Sequence, residues 1–170
     1  MAAVRAYLLS LLAVRRLTEQ DFPRAFPHPW LIWEPGPWAP ASPSAVSSDT
    51  HASSGSSHNP QNTGDSLCFE LAGRRALKVG RSRACDIQLN DATVSREHLL
   101  LEPEPLGGAW LASPTTTSNT TEYNGGALTG QSLPLRALDR LRLGNVTLSF
   151  VDLDAMLARL DEQLRKVQAK

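Results

Sequence analysis

Gly80-Arg81-Ser82-Arg83-Ala84-Cys85-Asp86-Ile87-Gln88-Leu89, with Val94-Ser95-Arg96-Glu97-His98 shortly after it, is the stretch on which the reading of this chain turns. It starts where the apolar run Ala76-Leu77-Lys78-Val79 ends, and it contains a second short run, Ile87 to Leu89. Runs this short, bounded by Gly, Ser and Asn, fit strands joined by polar loops rather than helices. Those loops carry arginines and a hydroxyl. A phosphate monoester near neutral pH has most of two charges and three acceptor oxygens, so a forked guanidinium and small hydroxyl donors suit it. Arg81 and Ser95 supply that set and Arg96 adds a second charge. A site of this composition grips a phosphate without a nucleophile. It discriminates against the unmodified side chain because each donor left unpaired costs about 1 to 3 kcal/mol.

Outward from this stretch the pattern stays β. Leu67-Cys68-Phe69-Glu70-Leu71, a turn at Ala72-Gly73-Arg74 and Ala76 to Val79 read as a hairpin. Leu99 to Glu102, Ala109 to Ala112, Leu141 to Leu143 and Val146 to Val151 are strand-length, and Asn124-Gly125 and Gly144-Asn145 are turn signals. Many short strands at small spacing predict a mainly β fold, an antiparallel sandwich over residues 66–151.

The flanks differ. Val4, Leu8, Leu11, Leu12 and Val14 follow helical spacing and predict an amphipathic helix that packs on the body of the protein. Thr18-Glu19-Gln20-Asp21 has capping-box chemistry ahead of one more turn, which Pro23, Pro27 and Pro29 end. Trp30-Leu31-Ile32-Trp33 reads as a short strand able to add to the sandwich edge, with Trp30, Trp33 and Trp38 as core residues. Residues 1–40 thus form an N-terminal helix and strand extension. Residues 41–65, rich in Ser, Thr, Pro, Asn and Gly with one valine, form a disordered linker. Residues 152–170 predict an amphipathic helix, with the stripe Leu153, Met156, Leu157, Leu160, Leu164 and Val167 and a start at Asp152 or Asp154. That stripe is short for a coiled coil, so docking on the sandwich is expected and self-association through it is the alternative.

Composition narrows the function classes. The 170 residues are 41% hydrophobic and carry 17 Lys and Arg against 17 Asp and Glu, which is enough apolar chain for one core. Net neutrality argues against nucleic acid as a partner. The apolar stretch Ala6 to Val14 is too short for a membrane span, for which about 20 residues are needed, and runs into Arg15 and Arg16 without a cleavage site, so a cytoplasmic location is expected. Cys68 and Cys85 lie in different apolar runs and read as small buried hydrophobes rather than a disulfide, and the four histidines lack metal-ligand spacing. No metal or cofactor is implied. Gly64-Asp65-Ser66-Leu67 spells the motif of the GDSL esterases, but the histidine that follows, His98, has Ser95 where that chemistry wants an aspartate. An enzyme is not expected.

The three blocks G-R-x-x-x-x-D-I-x-L, V-S-R-x-H and S-N with N-G five and six residues on make residues 66–151 resemble a forkhead-associated (FHA) domain. The resemblance implies a β-sandwich of about eleven short strands that binds phosphothreonine peptides through loops at one end. It further implies Arg81 and Ser95 as phosphate contacts, with Arg96 assisting, and Ser118 and Asn119 as peptide contacts. Gly80, Asp86 and His98 would shape the site. The implied partner is a phosphothreonine-containing protein, a Ser/Thr kinase or its substrate, in signalling of bacterial type. A phosphate-independent scaffold using the same sandwich and the terminal helices is the alternative. The family usually has glycine after the asparagine; this chain has Thr120. Threonine enters the left-handed region poorly, so either the loop is rebuilt or the Asn119 contact is weakened.

Overall fold

The structure, a computed structural model, describes residues 4–17, 20–36, 65–106, 108–116 and 119–169. In chain order these form β1 (Val4–Tyr7), α1 (Leu8–Leu17), α2 (Phe22–Ala25), β2 (Trp30–Trp33), β3 (Leu67–Glu70), β4 (Leu77–Gly80), β5 (Ile87–Gln88) and β6 (Leu99–Pro103). Then come β7 (Trp110–Pro114), β8 (Thr121–Tyr123), β9 (Gly126–Ala127), β10 (Leu133–Leu135), β11 (Arg140–Leu143), β12 (Val146–Val151) and α3 (Leu153–Gln168). Seven strands form one sheet in the order β1-β3-β2-β12-β11-β8-β9, and five form a second in the order β10-β7-β6-β4-β5. All pairings are antiparallel except β4 with β5, which is parallel.

Alternation along each strand decides what the two sheets share. Leu31, Trp33, Leu67, Phe69, Leu77, Val79, Leu99, Leu101, Leu141 and Leu148 point between the sheets and make the main core. The opposite faces of β2 and β3 are also buried: Trp30, Ile32 and Cys68 pack with Val151 against α1, α2 and α3 through Leu8, Leu11, Leu12, Phe22, Met156 and Leu160. Covering on both sides explains why Trp30-Leu31-Ile32-Trp33 is a continuous apolar run rather than an alternating one.

Three expectations are corrected here. Leu31 to Trp33 do not lie at the sandwich edge, because β2 sits inside the seven-stranded sheet between β3 and β12. Val4 to Tyr7 are not the first turn of the helix but an edge strand paired with β3, Ala6 opposite Cys68 and Tyr7 opposite Leu67, and the helix starts at Leu8. Leu67 to Leu71 and Ala76 to Val79 do not form a hairpin: β3 belongs to the seven-stranded sheet and β4 to the five-stranded one, so the intervening turn crosses between layers. All four residues of β3 are buried, with Leu67 and Phe69 facing the other sheet and Cys68 facing the helices.

The expected core tryptophans Trp30 and Trp33 are buried, and Trp38 lies outside the described residues, as does 37–64, most of the expected linker. Asp65, assigned to that linker, is instead buried, and its carboxylate accepts from the Leu9 N–H in the first turn of α1 at 3.1 Å. The capping box expected at Thr18 falls partly outside the described residues; α2 has Asp21 at its N-cap without a side-chain hydrogen bond. Asp152 caps α3, accepting from Ala155 N–H at 2.8 Å. The helix docks on α1 and β12, held by a two-pronged Arg159–Glu34 pair at 2.6 and 2.8 Å and by Arg15–Asp161 at 3.2 Å. Cys68 and Cys85 are free; burial pushes the Cys68 thiol up to about 12, which leaves it inert. No described helix is long and apolar enough to cross a membrane.

Candidate functional site at one end of the sandwich

The loops that follow β4, precede β6 and follow β7 meet at one end of the sandwich, and the sequence dictates how closely. A Cβ on Gly80 would lie 2.4 Å from the Arg96 carbonyl oxygen, so this residue is glycine because of a backbone approach and not because of its φ. The approach lets the two loops zip together. Arg81 N–H donates to Ser95 O at 2.9 Å, Ser82 N–H to Arg96 O at 3.0 Å, and the Cys85 thiol lies 3.1 Å from the same Arg96 oxygen.

Arg81 is the half-buried cation of this end. Its Nε donates to the Val94 carbonyl at 3.1 Å, which fixes the plane of the guanidinium, and its two terminal nitrogens have no partner among the described residues. Ser95 lies on the facing loop, its N–H donating to Nδ1 of His98 at 3.0 Å. Its hydroxyl oxygen accepts the Asn119 N–H at 2.8 Å, which leaves the hydroxyl proton free to donate outward. The Asn119 side chain reaches back to Thr93 O at 3.3 Å. Arg81, Ser95 and Asn119 are therefore assembled by the fold, and Arg96 stands exposed beside them with no side-chain partner among the described residues. Ser118 lies outside the described residues.

The framework residues behave differently from one another. His98 is fully buried, and burial lowers its pKa, with the Thr120 backbone opposing the shift. With Nδ1 accepting from Ser95, the proton belongs on Nε2, which faces Thr120 without completing a hydrogen bond. Asp86 does not face the phosphate-type donors. Its carboxylate takes Arg75 at 2.5 Å and the Lys78 N–H at 2.9 Å, and these outweigh the upward pull of burial to leave its pKa lowered.

Residues outside the expected set complete the end. Asp91, fully buried, accepts both the N–H and the hydroxyl of Thr93, at 2.8 and 2.5 Å, and Thr93 Oγ1 in turn accepts Asn145 N–H at 2.8 Å. Gly144, at φ +61°, turns the β11–β12 hairpin so closely against Thr93 that a Cβ would be 2.4 Å from its carbonyl oxygen. Asp-x-Thr in a loop is an Asx-turn signature and was the available sequence signal. Thr120 does not take the left-handed region: among the described non-glycine residues only Asn124 and Leu138 have positive φ. Beside Asn119 a shallow groove of about 420 Å³ opens, walled by Thr93, Thr120, Glu122 and Arg142. Chemically, this end offers two cations, a hydroxyl donor and an amide, with no nucleophile–base pair among the residues brought together. No cluster of metal-ligating side chains occurs among the described residues.

Similar solved structures are FHA domains. One is the FHA domain of an Arabidopsis thaliana hypothetical protein, 24% identical with a TM-score of 0.49, the match covering 74% of this chain and 86% of that one. Another is the FHA domain of the CT664 protein from Chlamydia trachomatis, 18% identical with a TM-score of 0.49 and coverage of 73% and 97%. A third is the N-terminal FHA domain of S. cerevisiae Rad53p in complex with a phosphothreonine peptide, 23% identical with a TM-score of 0.43 and coverage of 49% and 73%. A comparison with curated protein sequences found no match. Residues 61–154, more than half of the chain and the span that holds every residue of the loop end described above, match the family described as the inner membrane component of T3SS, cytoplasmic domain, and the chain belongs to that family.

Proposed function

We propose that the loop end formed by Arg81, Ser95, Arg96 and Asn119 binds a phosphothreonine side chain and the peptide that carries it, as a non-catalytic recognition module. The observation that carries this reading is the Arg81 guanidinium, pinned through Nε to the Val94 carbonyl with both terminal nitrogens uncommitted, opposite a Ser95 hydroxyl whose proton is free. Two terminal nitrogens on a fixed plane match two phosphate oxygens, and the hydroxyl serves the third. Asn119, exposed and backbone-anchored to Ser95, is placed to hydrogen-bond the peptide main chain beside the phosphate. The partner on this reading is a protein phosphorylated by a Ser/Thr kinase in the cytoplasm.

Titration of the full chain with a phosphothreonine peptide library, against the same library unphosphorylated, tests the proposal. Retention of phosphorylated peptides only, lost on Arg81→Ala, is the expected result; equal retention of both libraries would defeat it. A second reading, phosphate-independent assembly through the sandwich, draws on the family description as a secretion-system component and on Thr120 standing where the resembled family usually has glycine. It requires that complexes with a partner survive both phosphatase treatment and Arg81→Ala.

A further inference from the structure

The charged side chains at the loop end do not balance. Residues 75–98 carry Arg75, Lys78, Arg81, Arg83 and Arg96 against Asp86, Asp91 and Glu97, in a chain that is neutral as a whole. Each of those carboxylates is engaged. Asp86 takes Arg75 and the Lys78 N–H, Glu97 pairs with Lys78 at 3.1 Å, and Asp91 is buried with Thr93 N–H bound to it at 2.8 Å. In the adjoining groove Glu122 belongs to Arg142, at 3.8 Å. Arg81, Arg83 and Arg96 are left without an acidic partner among the described residues.

Backbone bonds fix where these three cations stand. Asn119 takes one end of residues 93–96, its Nδ2 donating to Thr93 O at 3.3 Å and its N–H to Ser95 Oγ at 2.8 Å. The turn at residues 82–85 takes the other end, with Ser82 N–H on Arg96 O at 3.0 Å. Cys85 N–H to Ser82 O at 3.1 Å and Ala84 N–H to Ser82 Oγ at 3.2 Å close that turn on itself, which leaves Arg83 at its exposed tip. Arg81 and Ser95 thus lie between Asn119 on one side and the Arg83 turn with Arg96 on the other.

Charge arithmetic decides what this adds. A phosphothreonine side chain brings about −1.5 to −2 at neutral pH. Three guanidiniums, charged at every accessible pH, exceed that by at least one charge, and Arg81 with Ser95 already serves the phosphate oxygens. Like charges held on adjacent loops repel one another, so a ligand that supplies a further anion on the Arg83 side is favoured over one that does not.

We propose that Arg83, with Arg96, forms a second anionic subsite, resting on the phosphothreonine reading of Arg81 and Ser95. It takes a carboxylate or a second phosphate carried by the same peptide, on the flank of the phosphothreonine away from Asn119. The partner class narrows accordingly, to proteins phosphorylated on a threonine inside an acidic or multiply phosphorylated segment. Because Arg83 is exposed, water and salt screen the contact, and one added anion is worth about 2- to 5-fold in affinity.

The test uses phosphothreonine peptides in three versions, with Gln, Glu or phosphoserine placed first on one flank and then on the other, titrated into the full chain. Glu or phosphoserine should strengthen binding about 2- to 5-fold over Gln on one flank only, and the gain should shrink as salt rises from about 0.1 to 1 M. Whichever of the two gives the larger gain identifies the anion. Arg83→Gln should abolish the gain while phosphorylated peptides remain preferred over plain ones, and Arg83→Glu should reverse it, so that a Lys flank binds better than a Glu flank. Arg74→Gln, which removes the same charge from an exposed position ahead of β4, should leave the gain in place. Equal affinities for the three versions, a gain of the same size on either flank, or a gain that survives Arg83→Gln would overturn the proposal and leave the phosphothreonine reading standing. If the wild-type chain binds no phosphothreonine peptide, that reading falls and this proposal with it.

Discussion

The Ser95 N–H donates to Nδ1 of His98 at 3.0 Å, so the residue that carries the site's hydroxyl is held in place by a fully buried, neutral imidazole. Protonation at Nδ1 would convert the acceptor into a donor and break the bond. In the unfolded chain His98 titrates near 6.5, while burial holds its folded pKa below that. Between the two values the unfolded state binds more protons, so stability falls as pH drops through 6.5 toward the folded value. Urea unfolding followed from pH 8 to 5 should show this loss, and His98→Gln, which keeps an acceptor but cannot titrate, should flatten the profile. Asp65 and Glu70, whose pKa values burial raises, act in the opposite sense at lower pH and are common to both proteins, so the difference between profiles isolates His98.

Gly80 is expected to tolerate no side chain. The atom that a Cβ would meet at 2.4 Å is the Arg96 carbonyl oxygen, with the Arg96 carbonyl carbon at 2.9 Å, and both are backbone that cannot rotate away. Gly80→Ala should therefore cost about 1 to 3 kcal/mol and force the Arg81 and Ser95 loops apart. Denaturant titration gives the stability. Phosphopeptide affinity should fall by more than the stability change explains, since unzipping the loops separates the two phosphate contacts.

How much of this was legible in the sequence depends on how local each feature is. Val146–Val151, the Asp152 cap and the Asn124-Gly125 turn are set by neighbours in the chain, and the turn adopts φ of 49° and 85° at its two central residues, the pair a two-residue hairpin requires. The apposition of Arg81 and Ser95, seen in the Arg81 N–H bond to Ser95 O, was expected from the resemblance carried by the G-R and V-S-R-x-H blocks and not from anything local to either loop. The partner of β3 was not: Leu67 to Glu70 carries apolar residues on both faces, so nothing local says that it pairs with β1 and β2 rather than β4. Val4 to Tyr7 reads equally as helix because its four residues are too few to distinguish the two periods. Asp91 and Thr93 were passed over because polar residues in a loop look solvated until the β11–β12 turn is brought against them.

The pair Glu34–Arg159 joins the end of β2 to α3, and both side chains are under a third exposed, at 19% and 27%. Burial raises the Glu34 pKa, but the Arg159 guanidinium, with help from Ser149 and Ser66, pulls it below the ordinary 4.5. A lowered carboxylate contributes stability that is present above 4.5 and lost as pH falls through the folded value. Glu34→Gln leaves a partly buried guanidinium without its countercharge and should cost about 2 kcal/mol at neutral pH. A double-mutant cycle with Arg159→Met, read by urea unfolding, should return a coupling well above that of an exposed pair; a coupling near zero would mean that solvent screens this contact fully.

Leu138 is a place where the chain works against itself. It sits between β10 and β11 at φ 72°, in the left-handed region, with its side chain 71% exposed. Its N–H donates to Phe150 O at 2.8 Å and the neighbouring Asp139 N–H donates to Arg136 O at 3.0 Å, so the backbone geometry is fixed by the turn and not by the leucine. A leucine there costs about 1 to 2 kcal/mol relative to a right-handed conformation, and an exposed side chain recovers little of it. Asparagine enters this region more readily because its side chain bonds locally. Leu138→Asn should therefore stabilise the protein by about 0.5 to 1 kcal/mol, which for a chain of this size is a rise of about 2 °C in Tm. Leu138→Val, β-branched and less tolerant still of positive φ, should lower Tm instead, and the opposite signs of the two substitutions separate backbone strain from any loss of apolar contact.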